Sequence, residues 1–213
     1  MVDKSIYWKG AAVALILFII SIGIGYYIEV DRTNKIRDTI NELNIAIDSS
    51  STTILFIQST KNKANCVALK SAVYELWQET NKIRNTLEDQ NINILISPNE
   101  LRNLYYLTNF KLYLLTREYK EVCQQNLSNI LFFYVAFKDC PECKVQGNVL
   151  DVIREKCDNA AVFAFPIDVK GLSPLNVIVS YYNITRAPTL IIDDKKFDTL
   201  LNEASIKEKI NCK

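Results

Sequence analysis

The 213-residue sequence contains no histidine. That excludes His-based catalytic triads, imidazole general bases and nearly every catalytic zinc site. Glycine and proline are scarce, five of each, so collagen-like and low-complexity chains are excluded. A surplus of charge is missing too: 25 Lys and Arg face 24 Asp and Glu, a formal net charge of +1. Nucleic-acid binding calls for a basic excess, so no nucleic-acid partner is expected. What remains is an ordinary globular composition, 49% apolar and 23% charged. The length suits one domain or two small ones. The titratable nucleophiles left are Lys, Tyr and six Cys.

Eighteen residues from Ala11 to Ile28 carry no charge. A helix that spans a bilayer core needs about 20 such residues. Trp8 precedes the run and Tyr26 and Tyr27 close it, as aromatics do at membrane interfaces. The expectation is a single-pass transmembrane helix over about 8–28, with the lipid bilayer as its partner. A cleaved signal peptide is the rival: Lys4 and Lys9 would form its basic region and Gly23-Ile24-Gly25 its cleavage site. A buried core helix is the bland alternative. Lys4 and Lys9 on one side face Arg32, Lys35 and Arg37 on the other, so charge does not orient the chain.

Beyond Val30 the pattern is helical. Ile36, Ile40, Leu43, Ile47, Ile54 and Ile57 predict one long helix over about 31–60. A second helix, roughly 66–88, aligns Cys66, Leu69, Val73, Leu76, Ile83 and Leu87. A third opens with Ser97 as N-cap, Pro98 at the first helical position and Glu100 completing a capping box. Three helices with short connectors predict an antiparallel bundle. Near residue 127 the period changes. The order from there is strand (Ile130–Phe137), helix (Cys143 to about Cys157), strand (Ala160–Ile167), helix (from Ser173-Pro174), strand (Pro188–Ile192), a turn at Asp193-Asp194, a short strand and a last helix marked by Ile206 and Ile210.

Cys140-Pro141-Glu142-Cys143 lies where a strand turns into a helix. In that position a Cys-x-x-Cys reads as a redox motif. The first thiol meets the free N–H groups and positive dipole end of the helix, which favour its thiolate. The second is one turn away and can displace a mixed disulfide formed by the first. An inert disulfide and half of a metal site are the alternatives.

Three stretches, LFFYVAFKDCPECK, FPID at 165–168 and YYNITRAPTLII at 181–192, resemble the thioredoxin superfamily over about residues 128–213. The resemblance implies a thioredoxin-like α/β/α domain with a four-stranded mixed sheet. It implies Cys140 as nucleophile and Cys143 as resolving thiol, and no cofactor or metal beyond the redox-active disulfide they form. It matches Pro188 to the family's cis-proline and Ala187 to the residue whose backbone pairs with an extended substrate; Pro141 and Glu142 complete the expected substrate-binding set. Three positions depart from the family: Tyr134 replaces its buried acid, Asp139 the aromatic before the first Cys, and Asn148 its helix-kinking proline. Asp139 and Glu142 should raise the Cys140 pKa while Lys138 and Lys144 lower it, so the charges nearly cancel.

In that fold Cys157 and Cys212 end two helices that run the same way on one sheet face, so a disulfide between them is expected. Cys66 begins one bundle helix and Cys123 ends the next, neighbours in an antiparallel pair. Four buried free thiols are the alternative. Two structural disulfides would imply an oxidising compartment and an extracytoplasmic soluble part. The chain is thus expected to hold a membrane anchor (1–30), a helical stalk domain (31–126) and a thioredoxin-like domain (128–213). Its expected function is that of a cell-membrane thiol–disulfide oxidoreductase acting on protein substrates, with a membrane or soluble electron-transfer partner. The alternative is a non-catalytic membrane-anchored module whose helical domain contacts a membrane partner.

Overall fold

The computed structural model describes residues 14–28, 30, 52, 66–88, 98–136, 139–169 and 171–212. It divides into two units, one of Met1–Ile45 with Asn93–Ile96 and one of Ala46–Ile92 with Ser97–Lys213.

The first unit contributes helix α1, described over residues 14–28. Among the described residues no helix is long and apolar enough to cross a membrane. The expected transmembrane helix over 8–28 is therefore corrected, and the single-pass localisation that depended on it has no support. Trp8 and the long helix expected over 31–60 fall outside the described residues, Thr52 apart.

The second unit runs α2 (Cys66–Glu88), α3 (Pro98–Cys123), β1 (Ser128–Tyr134), α4 (Pro141–Lys156), β2 (Ala160–Pro166), α5 (Ser173–Tyr181), β3 (Thr189–Ile192), β4 (Lys195–Phe197) and α6 (Glu203–Lys209). The four strands form one mixed sheet in the order β2-β1-β3-β4. β1 pairs parallel with β2, Ser128 opposite Ala160 through Tyr134 opposite Pro166. It pairs antiparallel with β3, Phe133 opposite Thr189. Asp193 and Asp194, both at positive φ (45° and 65°), make the tight turn from β3 to β4.

Alternation along β1 divides the core. Leu131 and Phe133 join one cluster with Phe163, Phe165, Leu175 and Ile178. Ile130 and Phe132 join another with Leu150, Ile153, Ile206 and Ile210, so α4 and α6 cover the opposite face.

The hairpin of α2 and α3 belongs to the first of these clusters. Leu69 and Leu76 of α2 and Leu112 and Leu115 of α3 share the core of Phe133 and Phe165. Among the described residues, α2 and α3 thus share their core with the sheet. The reason lies in the sheet: α5 is only nine residues long and leaves large aromatics of β1 and β2 uncovered. α3 supplies the cover, with Phe110 edge-on to Phe165 at 6.0 Å and Tyr113 edge-on to Phe163 at 5.5 Å. Burying each such phenyl ring contributes roughly 1.5–3 kcal/mol. Asn109, also on α3, donates from Nδ2 to the Ala164 carbonyl at 3.1 Å, capping part of edge strand β2.

Candidate active site

The Cys-x-x-Cys lies at the carboxyl end of central strand β1, where the chain turns into α4. Cys140 is the N-cap of α4 and Pro141 follows in its first turn. Proline suits that place because its missing N–H would have no helical partner there. The two cysteines are joined in a disulfide with Cα atoms 5.2 Å apart. The Cys143 N–H donates to the Cys140 sulfur at 3.1 Å. Cys140 is 8% exposed and Cys143 is fully buried. Of the two residues only Cys140 therefore keeps any exposed surface. Pro141 and Glu142, expected to line a substrate site, are both exposed beside it.

The Ala187–Pro188 peptide bond is cis. Pro188 is buried and Ala187 half-buried. Ala187 packs against the cluster that contains Cys140 and Cys143, so the turn before β3 and the start of α4 are brought together. Thr189, fully buried, follows the proline. Its hydroxyl lies 2.9 Å from the Arg186 carbonyl and 2.8 Å from the Asp198 Oδ1, closing the turn onto the chain beyond β4.

Gln146, one turn after Cys143, is fully buried. Its Nε2 donates to the Leu201 carbonyl at 3.1 Å, and its Oε1 accepts from the Leu201 N–H at 2.9 Å. The active-site helix is thereby clamped to the segment that enters α6. The sequence reading missed Gln146; its signal was a polar residue three positions from Cys143, on the inward face of α4.

Tyr134 stacks on Phe132, ring centroids 5.4 Å apart. Burial, seconded by neighbouring Tyr106, pushes its phenol well above the usual range. It stays protonated at neutral pH, so no group that titrates there occupies this position.

The other four cysteines are paired as Cys66–Cys123 and Cys157–Cys212, each with Cα atoms 5.6 Å apart. The first closes the open end of the α2–α3 hairpin. The second joins the C-cap of α4 to the residues just after α6.

No family model, no curated protein and no solved structure matches this chain.

Proposed function

We propose that the protein is a thiol–disulfide oxidoreductase of thioredoxin-like type, acting on disulfides of other proteins through Cys140 and Cys143. The observation that carries this reading is the asymmetry of the pair. Cys140 keeps 8% of its surface exposed at a helix N-terminus, and its bonded partner Cys143 is fully buried. The cis Ala187–Pro188 turn packed beside the pair, and the strand order with α4 following the central strand, support it as well.

In the reducing direction, the Cys140 thiolate attacks one sulfur of a substrate disulfide. A mixed disulfide forms and the other substrate sulfur leaves as a thiolate. The Cys143 thiolate then attacks the Cys140 sulfur, closes the Cys140–Cys143 bond and releases the second substrate thiolate. Two electrons have passed to the substrate, and the two cysteines need a dithiol to reset them. Run backwards, the same steps oxidise a substrate dithiol. The backbone N–H of Cys143 already points at the Cys140 sulfur, so charge developing there meets a donor without rearrangement. In this reading the backbone of Ala187, which packs against the cluster of the redox pair, pairs with an extended substrate segment. The Cys66–Cys123 and Cys157–Cys212 bonds support an oxidising compartment as the working environment.

Reduction of insulin by dithiothreitol, with and without the full chain, tests the proposal. Wild-type protein should accelerate precipitation of the insulin B chain, and Cys140→Ser should abolish the effect. Cys143→Ser should accumulate a mixed disulfide through Cys140, because the resolving step is gone. Equal rates for wild type and Cys140→Ser would refute the enzymatic reading.

A further inference from the structure

A groove of about 380 Å³ runs along the free edge of the sheet. It opens where the helices on the two faces approach each other across β2. Arg84 of α2 and Arg102 of α3 line it from one face, and Lys144 and Arg154 of α4 from the other. Among the described residues the carboxylate of Asp151 is the only acidic group lining it, and that group lies 3.4 Å from Arg154. Four cations against one carboxylate leave three positive charges in excess, in a chain whose whole net charge is +1. The floor is aromatic, formed by Phe132 stacked on Tyr134 with Tyr106 beside them.

The groove begins next to the redox pair, because Lys144 directly follows Cys143. From Lys144 to Arg154 the helix rises about 15 Å. An extended peptide covers that distance in roughly five residues. A volume of about 380 Å³ holds a few side chains and not a folded domain. Strand addition to β2 is hindered, since Asn109 already occupies the Ala164 carbonyl.

We propose that this groove holds an acidic, extended segment of the substrate polypeptide, placing carboxylates within about five residues of the cysteine that Cys140 attacks. The inference rests on the redox reading of Cys140 and names the class of substrate it prefers. Cations on both walls attract the carboxylates, and the aromatic floor takes an apolar residue between them. Such a groove raises the encounter rate of acidic partners and fixes their register, and salt screens both effects.

The test uses three fluorescent peptides, each with one intrachain disulfide flanked by four Glu, four Gln or four Lys. Binding to the full chain is read by anisotropy, and exchange by the rate of peptide reduction. The Glu peptide should bind at least tenfold more tightly than the Gln peptide at 50 mM NaCl, and less than threefold more tightly at 500 mM. It should also be reduced with at least tenfold higher kcat/KM. Arg102→Gln/Arg154→Gln should cut the Glu-over-Gln ratio below threefold. Lys144→Gln/Arg154→Gln is a second variant that should do the same if the first fails to fold. Lys70→Gln/Lys195→Gln, which removes two cations outside the groove, should leave the ratio intact. Equal binding of the Glu and Gln peptides overturns the proposal. So does tighter binding of an oligothymidylate, or self-association of the chain that Arg102→Gln/Arg154→Gln abolishes. Exchange on all peptides without preference would sink the groove and spare the redox reading. Selective binding of the Glu peptide with no exchange would sink the redox reading and leave an acidic-peptide groove.

Discussion

Replacing Gln146 by leucine removes the clamp between the active-site helix and the entry to α6. The side chain is fully buried and makes two hydrogen bonds to one residue, donating to the Leu201 carbonyl and accepting from its N–H. Each contributes about 1–1.5 kcal/mol net, so their loss costs about 2–3 kcal/mol. Leu201 is half-buried, and water can recover part of its lost bonding; leucine's extra apolar surface offsets a little more. A net destabilisation of about 2 kcal/mol is therefore expected from urea unfolding at pH 7. Gln146→Glu sharpens the test. A protonated carboxyl can still donate to the Leu201 carbonyl and accept from its N–H, while an ionised one cannot donate and is buried as a charge. Its folded pKa should stand above the unfolded value of about 4.3. Stability of this variant should match wild type below that pH and fall as pH rises toward the folded pKa, by at most about 1.4 kcal/mol per pH unit. A Gln146→Leu variant within about 0.5 kcal/mol of wild type, or a pH-independent Gln146→Glu difference, would refute the clamp.

Two further outcomes are expected. Cys66→Ala/Cys123→Ala opens a loop with a sequence separation of 57. In the chain-entropy model this lowers stability by roughly 4 kcal/mol, readable as a shifted urea midpoint. The Tyr182 hydroxyl donates to Asp194 Oδ1 at 2.6 Å and meets the Tyr113 hydroxyl at 3.0 Å. Burial first, then Asp194, pushes its pKa far above the ordinary phenol. A raised folded pKa means that its stabilisation is present up to about pH 10 and is lost as pH climbs beyond. Tyr182→Phe should cost about 1 kcal/mol at pH 7 in this partly exposed setting and less at pH 11.

Local signals placed the Cys-x-x-Cys in the fold and left its surroundings unread. A continuous apolar strand, a Pro at the first helical position and a Cys on either side of it placed the motif at the β1–α4 junction, where Cys140 caps the helix. The turn at Asp193-Asp194 was legible because two consecutive residues must accept positive φ there. The role of the α2–α3 hairpin was not legible. Leu69, Leu76 and Leu115 give the same helical stripe whether they face a bundle or a sheet. Only the uncovered rings of Phe163 and Phe165 decide between the two, and that needs the strand pairing. The uncharged run up to Ile28 predicts a membrane span, yet among the described residues no helix is long and apolar enough to be one. Arg84, Arg102 and Arg154 carry no shared motif, so their meeting over one sheet edge appears only in three dimensions.

Under the proposed redox function, the three disulfides divide between holding and exchanging according to what each one closes. Cys140–Cys143 spans three residues, so it removes little entropy from an unfolded chain, and Cys140 keeps 8% of its surface exposed. Cys66–Cys123 and Cys157–Cys212 span 57 and 55 residues, and Cys157 is 2% exposed. Opening either long loop forfeits several kcal/mol that the short one does not carry. The second long bond bears on the active site directly. It ties the far end of α4 to the chain after α6, while Gln146 ties the near end of α4 to the chain before α6. α4 is thus fastened at two points on either side of Leu150 and Ile153, whose side chains are buried against the sheet. Exchange at Cys140 can break and remake a bond at the helix N-terminus without loosening the helix that positions it.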